Sequence, residues 1–153
     1  MANVHHVFNE AQLQYIVSSP VGPVAKDLLK RGLRVERRAK RNLDGNLGNP
    51  RRINTGHLRA SINTNLLVRP DGLAVRVGTG VHYALYVHDG TGLYGPKHTV
   101  IRPKHGKVLV FRSKIYGAKK GKYAGNVVVT FVRGMKPNPF LKDALPAFHS
   151  SAA

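Results

Sequence analysis

The sequence predicts an α+β fold: a long N-terminal helix, several short helices and a mainly antiparallel sheet of about four strands. Three observations carry that expectation. Apolar side chains recur every three or four positions over residues 21–42. Two runs, Asn63–Arg69 and Leu73–Gly78, alternate around Pro70-Asp71-Gly72, a hairpin signal. Two later runs, Lys107–Arg112 and Asn126–Arg133, are rich in β-branched and aromatic residues. A chain of 153 residues is enough for one domain that buries roughly 70% of its unfolded surface. The reading is a single domain over 1–153: an arm with a short helix (1–20), the long basic helix (21–42) and an α+β core (53–148).

Asn9 is placed to cap a short helix, with Gln12 three residues on and Leu13, Ile16 and Val17 as its apolar side. Ser18-Ser19-Pro20 breaks it. In the long helix, Pro23 suits the first turn, and Val21, Ala25, Leu28, Gly32, Val35 and Ala39 form a narrow stripe widened by Leu29 and Leu33. Gly32 costs a helix about 1 kcal/mol against alanine, which points to close packing at that spot. Lys26, Lys30, Arg31, Arg34, Arg37, Arg38, Lys40 and Arg41 cover much of the rest. Such a helix suits nucleic acid, a subunit interface or plain solvation. Its small, non-aromatic stripe speaks against a membrane surface. Residues 42–50 are a loop of turn formers, and Thr55 is a natural cap for a helix over 56–62. Residues 88–106 read as loop, 113–125 as a basic connection, and Phe140, Leu141, Ala144, Leu145 and Phe148 as a short C-terminal helix after Pro137-Asn138-Pro139.

Charge is the extreme property. Lys and Arg number 25 and Asp and Glu number 7, a net +18 spread over both halves. Such a chain resists association with itself unless something anionic neutralises it. The chain has no cysteine, so disulfides and thiolate metal sites are excluded. The N-terminal Met1-Ala2-Asn3-Val4-His5-His6 lacks a signal-peptide pattern, and no apolar run approaches the roughly 20 residues that span a bilayer.

Motifs of chemistry fare poorly. Gly90-Thr91-Gly92-Leu93-Tyr94-Gly95 matches the dinucleotide-binding glycine pattern, but Pro96 follows and the next acid is Asp143. The eight histidines show no HxH or HxxxH pair. Ser61, His57 and Asp89 have no spacing that supports a triad. The expectation is a non-enzymatic chain without metal or cofactor. Residues 97–122 hold nine Lys and Arg and no acid, with Tyr116 inside and Tyr123 just beyond, the best candidate contact with nucleic acid.

Three pieces, in order, resemble the head–tail joining (neck, tail-completion) proteins of tailed bacteriophages. Thr55-Gly56-His57-Leu58-Arg59-Ala60-Ser61-Ile62 is similar to that family's Thr-Gly-x-Leu-Arg-x-Ser-Ile. Tyr83-Ala84-Leu85-Tyr86-Val87-His88-Asp89-Gly90-Thr91 is similar to Tyr-Ala-x-Tyr-Val-Glu-x-Gly-Thr, with His88 where the family has Glu and the acid displaced to Asp89. Residues 134–145, with Pro139, Phe140, Leu141 and Ala144, are similar to Gly-x-x-Pro-x-Pro-Phe-Leu-x-x-Ala-Leu. The resemblance implies a structural virion protein at the head–tail neck, assembled in the host cytoplasm. It implies a ring, a hexamer, of copies of the chain between the portal-side connector or adaptor and the tail terminator or tail tube, with packaged DNA in the channel. It implies no small-molecule substrate and no membrane. Helix 21–42 and the loops 92–106 and 113–125 are then the expected contacts. Arg34, Arg37, Arg38, Arg41, Lys104, Lys107, Lys119, Lys120 and Lys122 are the candidate interface or anion-facing residues. The alternative is a basic nucleic-acid binder of ribosomal or chromatin type.

Overall fold

The computed structural model describes residues 9–45, 55–112 and 126–150. The class is α+β, and the four strands of the described residues pair as two two-stranded antiparallel sheets. The chain has two compact units, Met1–Val81 with Phe140–Ala153 and His82–Pro139.

The first unit is built on a 21-residue helix. Helix α1 (Glu10–Ser18) starts at Asn9, whose Oδ1 accepts from Gln12 N at 3.2 Å. Helix α2 (Pro23–Leu43) carries its proline in the first turn, where a missing N–H costs nothing. Its inner stripe, Ala25, Gly32, Val35, Ala39 and Leu43, is buried. Strands β1 (Asn63–Arg69) and β2 (Gly72–Gly78) pair from Asn63↔Gly78 to Arg69↔Gly72 across the two-residue turn Pro70-Asp71. A Cβ added to Gly32 would lie 2.6 Å from Thr64 Cγ2 and 2.9 Å from Val75 Cγ1, so α2 meets the hairpin at a distance that only glycine permits. Helix α3 (His57–Ser61) begins one residue later than Thr55 suggests. Gly56, at φ +80°, is its N-cap, and Thr55 Oγ1 accepts only a long 3.4 Å bond from His57 N.

The unit closes with Phe140, which is fully buried, and a 3-10 helix, Lys142–Phe148. Pro146 inside that segment has no N–H to give and crowds the preceding turn, which agrees with a 3-10 rather than an α form. Asn42, fully buried near the end of α2, donates from Nδ2 to Phe140 O at 3.0 Å. Removing a phenylalanine side chain from such a site costs about 3–5 kcal/mol.

The second unit contains helix α4 (Ala84–Asp89), a single 3-10 turn at Gly92–Tyr94, and strands β3 (Leu109–Arg112) and β4 (Asn126–Val129). β4 stops four residues short of the apolar run that predicts it. Its partner β3 begins only at Leu109, and beyond Val129 the run pairs through Val132 with Ile101 as an isolated bridge.

Candidate assembly interface

The three motifs have packing roles, each traceable to particular atoms. In the first, Leu58 and Ile62 are buried four residues apart. Arg59 Nε lies 3.4 Å from Asp44 Oδ2, joining α3 to the C-terminal cap of α2. Ser61 Oγ donates to Leu58 O at 2.8 Å, so its contact with Thr79 Oγ1 at 2.6 Å has threonine as the donor. Thr79 Oγ1 in turn accepts from Val81 N at 3.1 Å. This serine is a link in a chain of hydrogen bonds that ties α3 to the segment after β2.

The second and third motifs are bonded to each other. Thr91 N donates to Met135 O at 2.9 Å, and Met135 N donates to Thr91 Oγ1 at 3.0 Å. Leu93 N reaches Arg133 O at 2.7 Å and Asn138 N reaches Val87 O at 2.9 Å. Gly90 ends α4 at φ +80°, ψ 177°, a conformation essentially confined to glycine. A Cβ there would sit 2.8 Å from Met135 O. The Gly-rich stretch is therefore a turn clasped by the third motif, with no helix opening after it. His88 Nδ1 and Asp89 Oδ1 lie 2.8 Å apart, so the displaced acid pairs with the residue beside it. Ala84 and Val87 are buried, while Leu85 and Tyr86 are about 60% exposed and line an apolar cavity of about 370 Å³ with Ile101.

The long helix presents a cationic outer face. Lys26, Lys30, Leu33, Arg37 and Arg41 are exposed and follow one another at helical spacing, spanning about 22 Å. The four cations make no ion pair among the described residues. Arg31 and Lys40 are different: each is paired within the helix, to Asp27 at 2.7 Å and to Glu36 at 2.6 Å. Burial alone pushes the Glu36 carboxyl up. Hydrogen bonds from Lys40 and Thr64, with the charges of Lys40 and Arg37, outweigh it and hold the carboxyl below the usual carboxylate range.

Of the expected anion-facing residues, Arg37 and Arg41 lie on the outer stripe. Arg34 and Arg38 are half-buried, and Arg34 Nε is shut off from solvent with no hydrogen-bond partner among the described residues. Lys26 and Lys30 are the other two cations of that stripe. Lys104 and Lys107 are exposed in the second unit, and Lys119, Lys120 and Lys122 lie outside the described residues.

One further face is open. Helix α1 buries none of its residues, and Leu13, Tyr15, Ile16 and Val17 are all exposed. Among the described residues no three His, Asp or Glu side chains gather as metal ligands, and no helix is long and apolar enough to cross a membrane. No protein-family model matches the chain, and neither a curated protein nor a solved structure matches it.

Proposed function

We propose that this chain is a non-enzymatic structural virion protein that joins the head and tail of a tailed phage. In this reading it works as a neck or tail-completion ring, a hexamer, docked between connector and tail proteins. One observation carries the reading: three motifs in family order, of which the second and third are hydrogen-bonded to each other and the first places Leu58 and Ile62 in the interior of its unit. Two surfaces left over from that packing fit assembly. The apolar side of α1 and the cationic stripe of α2 are both exposed, as contacts with copies and with acidic neighbours require.

A nucleic-acid binder is favoured by the same stripe, since Lys26, Lys30, Arg37 and Arg41 are free to meet phosphates. The two readings have opposite salt dependence. Copies at +18 repel, so ring formation strengthens as salt rises from 50 to 500 mM. Phosphate contacts weaken steeply over the same range. Light scattering on the purified chain, with a duplex-DNA titration alongside, distinguishes them. A chain that stays a 16.8 kDa monomer at every salt and binds DNA with a steep inverse salt slope overturns the ring.

A further inference from the structure

An open groove of about 480 Å³ lies within the first unit, between the β1–β2 hairpin, α2 and the C-terminal 3-10 helix. Its lining includes Val35, Leu67, Val75, Leu145 and Phe148, an apolar set in which Leu145 is 60% exposed. Three cations, Arg69, Arg76 and Lys142, complete the lining, and no carboxylate does. All three are exposed and make no ion pair among the described residues. An apolar lining with unpaired positive charge asks for an occupant that is both apolar and anionic.

This chain is poorly supplied to fill the groove itself. All seven of its acidic side chains lie among the described residues, so the segments outside them carry none. Asp27, Glu36, Asp44 and Asp89 already face Arg31, Lys40, Arg59 and His88. A second copy brings the same few carboxylates and a charge of +18. A nucleic-acid backbone would satisfy the cations but leave the apolar surface wet. We propose that the groove is the docking site for an acidic segment of a partner protein, with a large apolar side chain against Leu67, Leu145 and Phe148 and flanking carboxylates on Arg69, Arg76 and Lys142. The proposal rests on the reading of the chain as an assembly protein and names the chemistry of its neighbour.

The probe is a fluorescein-labelled peptide, Asp-Glu-Leu-Phe-Asp-Glu, titrated with the full-length protein and read by anisotropy. Two controls replace its carboxylates with lysines or its Leu-Phe with serines. Binding is expected for the acidic, apolar peptide and at least tenfold weaker for both controls. Arg76→Glu and Leu145→Ser, both at exposed positions, are each expected to weaken it at least fivefold, while Arg112→Glu on β3 leaves it unchanged. Absence of binding, or binding indifferent to Leu145→Ser, overturns the groove. So does a 20-base-pair duplex that binds in a manner sensitive to Arg76→Glu when the peptide does not. Light scattering on the same samples reads self-assembly without the peptide, so a failed groove and a failed ring are separate results.

Discussion

Thr64 is held from two sides. Its methyl group faces the point where a Cβ on Gly32 would stand, and its hydroxyl donates to Glu36 Oε2 at 2.7 Å. The methyl therefore cannot swing aside without breaking that bond. Gly32→Ala gains up to about 1 kcal/mol of helix propensity but loses about 1–3 kcal/mol to overpacking. The expected net result is a loss of about 1 kcal/mol, measured as a lower denaturation midpoint. Glu36 gives a prediction in pH. Its folded carboxyl is held low, so the stability it contributes is complete above the ordinary glutamate value of about 4.3 and is lost as pH falls through the folded value. Glu36→Gln should flatten the fall of the unfolding midpoint as pH drops below the ordinary glutamate range. An unchanged acid limb would mean that the Lys40 and Thr64 contacts do not persist in solution.

Among the elements, the junction of α2 with the C-terminal segment depends on Asn42. Asn42→Ala removes a buried hydrogen bond to Phe140 O and opens a space, with an expected cost of about 2–3 kcal/mol in chemical denaturation. Ile16→Asp on α1 is the contrasting case. No residue of that helix is fully buried and Ile16 is 43% exposed, so the monomer should lose no more than about 1 kcal/mol. Self-association in light scattering should nevertheless weaken at least tenfold. Much of this layer was legible in the chain. The Asn9 cap, the span of α2 to within two residues, the Pro-Asp turn and the tight spot at Gly32 each follow from local rules. What could not be read there depends on distant partners. β4 ends early because β3 is short. Arg59 finds Asp44 fifteen positions earlier. The groove gathers Arg69, Arg76 and Lys142 from three segments that no spacing connects.

For the molecule as a whole, the dominant fact is positive charge with few internal partners. Three of the four ion pairs of the described residues have a partner exposed to solvent and are worth a few tenths of a kcal/mol each, Lys40–Glu36 being the partly buried one. Their effect is to divide the cations into two sets. Arg31, Lys40 and Arg59 serve the fold, while Lys26, Lys30, Arg37 and Arg41 remain turned outward. Charge reversal at Lys26 and Lys30 together should leave thermal unfolding within about 0.5 kcal/mol of the parent and move the salt dependence of association. A large drop in stability would place these residues in the fold instead.

Phe140 and Ala144 have a consequence for how the polypeptide is made. They are fully enclosed in a unit whose larger part is Met1–Val81, so nearly sixty intervening positions must leave the ribosome before that interior can be sealed. During synthesis Val35, Ala39 and Leu43 wait with one wall missing, open to chaperones or to the wrong neighbour. A chain cut after Pro139 should therefore lose the cooperative melting of its first unit while His82–Pro139 keeps its amide protection, a pattern that hydrogen exchange can read directly.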